Sequence, residues 1–114
     1  MSYPKLLLNS QAVTAAGSVI GDATQITQAS PVIVHALSAD ATKGVKLPRA
    51  TKGKMIFIKN SDAANAVLKV YPYDVNDQIN AITAGDPLSM AAKTAAVYIA
   101  FDSSVWYSFS LLPS

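Results

Sequence analysis

Apolar and polar residues alternate along most of this chain, with the two-residue period of β-strands. Residues 54–60 are apolar on both sides, which is typical of a strand buried on both faces. In residues 77–82 and 105–111, polar residues are concentrated on one side of the predicted strand. The pattern predicts six strands, at residues 31–37, 54–60, 66–71, 77–82, 94–101 and 105–111.

The last two predicted strands form the clearest pair, because the link at 102–104 has the Asp and Ser residues of a hairpin turn. The final strand has one face with four large apolar residues and another on which Trp106 accompanies two serines. The four are Val105, Tyr107, Phe109 and Leu111. We expect Trp106 and Tyr107 to be packed, either inside the protein or at a subunit interface.

Turn residues rich in Gly, Asn, Asp and Ser separate these strands at short intervals. Many short strands with such turns are typical of an all-β sandwich or barrel. We therefore expect an all-β fold, an antiparallel β-sandwich of the jelly-roll type, at residues 31–114.

Residues 1–30 have a different character, being rich in Ala, Ser, Thr and Gln with weak alternation. Two interpretations remain open for this segment. It is either an edge-strand region or partly ordered terminus, or an arm that becomes ordered on a partner.

The composition indicates that the chain binds other proteins. Of 114 residues, 51% are hydrophobic and 14% charged, against a usual charged share of about 25%. Disorder is excluded because a disordered chain needs high charge and few large apolar residues. Because so few charged residues cannot cover the surface of a small globular protein, we expect part of that surface to be buried against a partner.

The charges are unevenly distributed. Seven of the nine basic residues precede Asn60, and five of the seven acidic residues follow it. Lys43, Lys46, Arg49 and Lys52 recur every third residue in a stretch with Gly and Pro, which predicts a loop rather than a helix. This loop is either solvated, or meets an acidic protein surface, or meets nucleic acid or an anionic glycan, and we expect no nucleic-acid partner because the net charge is only +2.

Catalytic and metal-binding residue types are scarce. The chain has no cysteine and no glutamate, and its single histidine, His35, lies in an apolar strand pattern without a neighbouring acid. Residues 74–77 carry metal-type oxygens but lack the glycine and terminal glutamate of a calcium loop. No apolar run reaches the roughly 18 residues of a membrane span. We expect no enzyme, no metal or other cofactor, and no membrane partner.

The aromatic residues allow one further interpretation. Trp106 with four tyrosines either belongs to the core or a subunit interface, or forms a platform for a sugar. The tyrosines are Tyr71, Tyr73, Tyr98 and Tyr107.

Several short motifs resemble a pattern of tailed-bacteriophage virion proteins, found in head decoration (cement) proteins, head fibres and parts of tail fibres. In that pattern a V-x-L-P-x-A-T-x-G-K loop leads into an I-K-N strand, followed by an L-K-V-Y-P strand, an I-N turn and a W-Y pair. The matching stretches are 45–54, 58–60, 68–72, 79–80 and 106–107. The resemblance implies a structural, commonly trimeric protein and no enzyme.

A chain of 114 residues is short for a fibre with shaft, attachment domain and tip. The expected function is therefore capsid decoration: a homotrimer on the outer surface of a phage head, bound to the major capsid protein. The alternative is a glycan- or receptor-binding tip of a head or tail fibre.

Two segments are candidates for the capsid contact. Surface ion pairs are weak and screened by salt, whereas burial of apolar area is salt-tolerant. We therefore expect the apolar N-terminal residues to anchor the protein and the basic loop to steer it. The anchoring residues are Tyr3, Leu6, Leu7 and Leu8, and the steering residues are Lys43, Lys46, Arg49 and Lys52.

Overall fold

Short strands dominate the structure, a computed structural model that describes residues 9–27, 32–37, 42–61 and 67–111. The only helical element in these ranges is one turn of 3-10 helix at Ile20–Asp22. The strands are β1 (Asn9–Thr14), β2 (Thr24–Gln25), β3 (Val32–Leu37), β4 (Gly44–Lys46), β5 (Met55–Asn60), β6 (Leu68–Tyr71), β7 (Gln78–Ile79), β8 (Leu88–Met90), β9 (Ala95–Ala100) and β10 (Val105–Leu111). The predicted all-β class is confirmed.

The strands form two sheets that pack together. The larger sheet has six strands in the order β1-β3-β5-β9-β10-β7, and the smaller has four in the order β2-β4-β6-β8. The chain crosses between the sheets at every connection from β1 to β9. Only the last connection, from β9 to β10, stays within one sheet.

This winding corrects the expectation of an antiparallel sandwich. Strands β1, β3 and β5 are parallel neighbours, as are β2, β4 and β6, and β7 runs parallel to β10. Antiparallel pairing is confined to β5–β9, β9–β10 and β6–β8 among the described strands. Parallel neighbours need a crossover connection, and the passage through the other sheet supplies it for the pairs β1–β3, β3–β5, β2–β4 and β4–β6. The pair β6–β8 is antiparallel although the chain passes through the other sheet between them. A jelly-roll arrangement is not confirmed.

The core lies between the two sheets and draws on both. From the larger sheet, Ile56, Ile58, Tyr98 and Trp106 are fully buried, and from the smaller sheet Val45, Leu68 and Val70. In β5 and β9 burial alternates residue by residue, so each strand has one inner and one outer face.

The described part of the N-terminal segment belongs to this packing. β1 and β2 lie at the edges of the two sheets. Val13, Ala15, Ala23 and Ile26 are buried. Residues 9–27 thus contribute to the same core as the rest of the chain.

Candidate functional site

The outer face of the larger sheet is apolar where β5, β9 and β10 lie side by side. The pairing registers align residues into two rows across these strands, Met55–Ile99–Tyr107 and Phe57–Val97–Phe109. A third row, Lys59–Ala95–Leu111, ends the surface at one side. We call this surface the apolar face and include Val105 and Phe101 at the hairpin end.

The β10 side of the apolar face is the most exposed. Phe101, Tyr107, Phe109 and Leu111 have 42–50% of their surface open to solvent. The rings of Phe101 and Tyr107 pack edge to face, with centroids 5.0 Å apart and planes at 76°. Large apolar residues clustered in this way are typical of a protein contact surface.

Trp106 lies on the opposite face of the same strand and is fully buried. Its indole Nε1 has no hydrogen-bond partner, and neither has the hydroxyl of the buried Tyr98. Burial raises the pKa of Tyr98 far above its ordinary value. Both side chains serve the core, so neither is available to a ligand or a neighbouring subunit.

Two of the basic residues, Lys46 and Arg49, lie against the ring of Tyr73. The Lys46 Nζ lies 5.9 Å and the Arg49 guanidinium carbon 5.3 Å from the centre of the Tyr73 ring. Both distances allow cation–π attraction. Lys46 is part of β4, which corrects the prediction that the whole basic stretch is a loop. Arg49 and Lys52 lie in the loop that follows and are exposed, whereas Lys43 is half-buried.

Acidic side chains lie close to these basic ones, at the β6–β7 loop. Asp74 accepts a hydrogen bond from the backbone N–H of Asn76 at 3.0 Å, as expected for a turn. Partial burial and the neighbouring Asp74 raise the pKa of Asp77, although Arg49 opposes the shift. No group of three or more potential metal ligands occurs in the described ranges.

A polar cleft of about 370 Å³ is lined by Arg49 and by the acidic Asp74 and Asp77. Its walls combine hydrogen-bond donors and acceptors with one aromatic ring. They include Arg49, Tyr73, Asp74, Asn76, Asp77 and Ser103.

The structure separates several residues that the sequence grouped. Tyr71, Tyr98 and Trp106 are buried, Tyr73 lines the polar cleft and Tyr107 belongs to the apolar face, so the five aromatics form no single platform. The predicted anchor residues Tyr3, Leu6, Leu7 and Leu8 lie outside the described ranges. The apolar face itself was not predicted as a site, although the alternation in 105–111 placed its β10 residues together.

No helix in the described ranges is long and apolar enough to cross a bilayer. Searches against protein-family models, curated proteins and solved structures found no match to this chain.

Proposed function

We propose that this chain is a structural virion protein that decorates the capsid of a tailed bacteriophage as a homotrimer. The observation that carries the proposal is the apolar face, with four large side chains 42–50% exposed on a chain with only 14% charged residues. Such a surface works through contact with protein. The resemblance of residues 45–60, 68–72 and 106–107 to phage virion domains supports a phage capsid as the partner.

In this function the protein acts mechanically and has no catalytic step. Each bound trimer bridges neighbouring subunits of the major capsid protein on the outer surface of the head. Burial of apolar area contributes about 25 cal/mol per Å² and is insensitive to salt. Many such contacts would oppose the outward pressure of packaged DNA.

The two capsid-contact segments have different tasks in the proposal. Residues 1–8 anchor the protein through Tyr3 and the three leucines. The basic residues Lys43, Lys46, Arg49 and Lys52 steer it towards an acidic shell surface. Arg49 and Lys52 are exposed, which suits long-range steering, and salt weakens such steering.

Binding to undecorated capsids tests this function. The shells are assembled from purified major capsid protein of the phage that the proposal assigns to this chain, and bound protein is detected by co-sedimentation and as added density in electron micrographs. We expect saturable binding of the full chain. Shells that acquire neither bound protein nor added density would contradict the proposal.

Two variants separate anchoring from steering. Deleting residues 1–8 should abolish or strongly weaken binding and leave the trimer folded. Replacing the four basic residues with Ser should slow binding at low salt and change it little at high salt. Loss of binding in the Ser variant alone would reverse the two roles.

The polar cleft favours a second candidate function, a glycan-binding fibre tip. Tyr73, Arg49 and Asp77 offer a ring, a donor and an acceptor around one cavity, the mixture that sugar hydroxyls require. A glycan array probed with the full chain tests this candidate. A hit that Tyr73→Ala abolishes, together with no binding to shells, would replace decoration by glycan recognition.

A further inference from the structure

We propose that the edge of β10 beyond β7 accepts an extended segment of a different protein as an added strand. The segment carries a large apolar side chain that enters the space between the two sheets. This contact goes beyond the proposed function, because it lies at a sheet edge that neither capsid-contact segment includes, and its test uses no capsids.

The backbone of β10 is unpaired on one side beyond Asn80. The Asn80 N–H donates to the Trp106 carbonyl, so the even-numbered residues of β10 direct their backbone groups towards β7 and the odd-numbered ones towards β9. The last partner on this side is the Asn80 side chain, which accepts from the Ser108 N–H. The Ser108 carbonyl and both backbone groups of Ser110 therefore point outward with no partner among the described residues.

The chain that follows β7 turns away from this edge. Asn80 has a left-handed φ of 56°, and the Gly85 N–H donates to the Asp77 carbonyl at 2.9 Å. Residues 80–85 thus return to the start of β7, which lies at the opposite end of β10 from Ser110. This part of the chain leaves the position in line with β7 open.

The core is open next to the same edge. Trp106, Ser108 and Ser110 share the inner face of β10, but the first is fully buried, the second half-buried and the third exposed. A cavity of about 270 Å³ lies here between β8 on one side and β9 and β10 on the other. The described residues that line it are uncharged and include Leu88, Met90 and Ala96.

The unpaired edge and the cavity together fit an extended peptide. A strand offers N–H and C=O groups at the spacing of the ladder, and every second side chain faces the same sheet surface. Beside Ser110 that side chain would enter the cavity. A cavity of about 150 Å³ already accommodates benzene, so 270 Å³ has room for a large apolar side chain. A charged side chain would be desolvated there without an opposite charge.

A display library of short random peptides, panned against the full chain, provides the probe. We expect it to yield peptides that alternate apolar and polar residues. Amide hydrogen exchange followed by NMR then locates the contact. The Ser110 amide should exchange rapidly in the protein alone, and about tenfold or more slowly when a selected peptide is bound.

Substitutions at Ser110 test the added strand directly. Ser110→Pro removes the outward N–H without removing a bond to β9, and it should weaken peptide binding about tenfold or more. Ser110→Ala is the matched control, because it keeps the N–H and should bind as the wild type does. Blue-shifted emission of the buried Trp106 reports that each variant is folded. If Ser110→Pro does not fold, Ser110→Phe is measured instead, because its ring would fill the cavity and should weaken binding similarly.

Undiminished binding by the folded Ser110→Pro or Ser110→Phe variant would overturn the inference, as would a library that yields no peptide protecting the Ser110 amide. Slow exchange of this amide in the protein alone would also overturn it, because a second copy or the chain's own terminus would then occupy the edge. Shell binding tests the proposed function separately from all of these outcomes.

Discussion

Trp106 and Tyr107 are consecutive residues of β10 that lie on opposite faces of the larger sheet. Trp106 is fully buried between the sheets, whereas Tyr107 is 42% exposed on the apolar face. β10 therefore contributes its largest side chain, Trp106, to the core and the following side chain, Tyr107, to the outer surface. The core and the outer apolar surface can therefore be perturbed separately at neighbouring positions.

The placement of Trp106 predicts how its fluorescence responds if the proposed homotrimer dissociates. The native emission should be blue-shifted and should stay so when the copies separate, because the indole is covered by its own chain. Emission spectra recorded during dilution, alongside light scattering, test this, and the urea-unfolded chain supplies the red-shifted reference. A red shift on dissociation without unfolding would place Trp106 at the interface.

Gly44 is predicted to be intolerant of a side chain. A Cβ at this position would lie 2.7 Å from Tyr71 Cε2 and 2.9 Å from the carbonyl oxygen of Lys69. The Tyr71 ring is itself held by a hydrogen bond from its hydroxyl to the Ser18 carbonyl at 3.1 Å. Gly44→Ala should therefore lower the free energy of unfolding by about 1–3 kcal/mol, the usual cost of overpacking.

Gly21 supplies the control for that substitution. A Cβ there would meet nothing within 4 Å, and its φ is not positive. Gly21→Ala should leave stability unchanged or raise it by up to about 1 kcal/mol, since alanine restricts the unfolded chain. Urea unfolding of both variants measures the difference, and equal stability of the two would show that Tyr71 moves aside without cost.

Asn80 is predicted to hold β7 against β10. Its Oδ1 accepts from the Ser108 N–H at 2.9 Å and its Nδ2 donates to the Ser108 Oγ at 2.8 Å. Its φ of 56° lies in the left-handed region. Asn80→Gly should cost about 1–2 kcal/mol for the lost hydrogen bonds, and Asn80→Ala about 1 kcal/mol more for the strained backbone.

The exposed Asn76 is the matched control for Asn80, because its amide makes only a 3.4 Å contact with Asp74. Asn76→Ala should change the free energy of unfolding by less than about 0.5 kcal/mol. Urea unfolding ranks the three variants. If Asn80→Gly were less stable than Asn80→Ala, the backbone contribution assigned to Asn80 would be wrong.

The pKa values of two aspartates are predicted to be shifted in opposite directions from the ordinary aspartate value. Hydrogen bonds from Ser104 N–H at 2.8 Å and Val105 N–H at 2.9 Å lower the pKa of Asp102. Partial burial and then Asp74 raise the pKa of Asp77. Carbon-detected NMR titration should show Asp77 taking up its proton at a higher pH than Asp102.

The two shifts have opposite effects on stability. Asp102 stabilises the fold above its unfolded pKa of about 3.8, and this contribution disappears as pH falls through its lower folded pKa. Ionised Asp77 destabilises the fold, and that cost is relieved as pH falls through its raised pKa. At neutral pH Asp77→Asn should therefore stabilise the protein and Asp102→Ala should destabilise it. The reverse order would contradict the assigned causes.

The sequence by itself determined the β class, the locations of the main strands and the hairpin at 102–104. These features depend on local signals: the two-residue alternation, the stop at Pro72 after β6, and a turn whose Asp102 bonds the backbone two and three residues later. The same alternation grouped the apolar side chains of β10 on one face.

Only the tertiary structure decided which face of β10 is inside and which strands are neighbours. Both faces of the strand carry large aromatic residues, so local alternation cannot choose between them. The choice follows from the inner face of the smaller sheet, which covers Trp106 and leaves Tyr107, Phe109 and Leu111 outside. The parallel pairing of β1, β3 and β5 is likewise a tertiary feature, because it joins residues far apart in the chain that lie in strands separated by crossings to the other sheet.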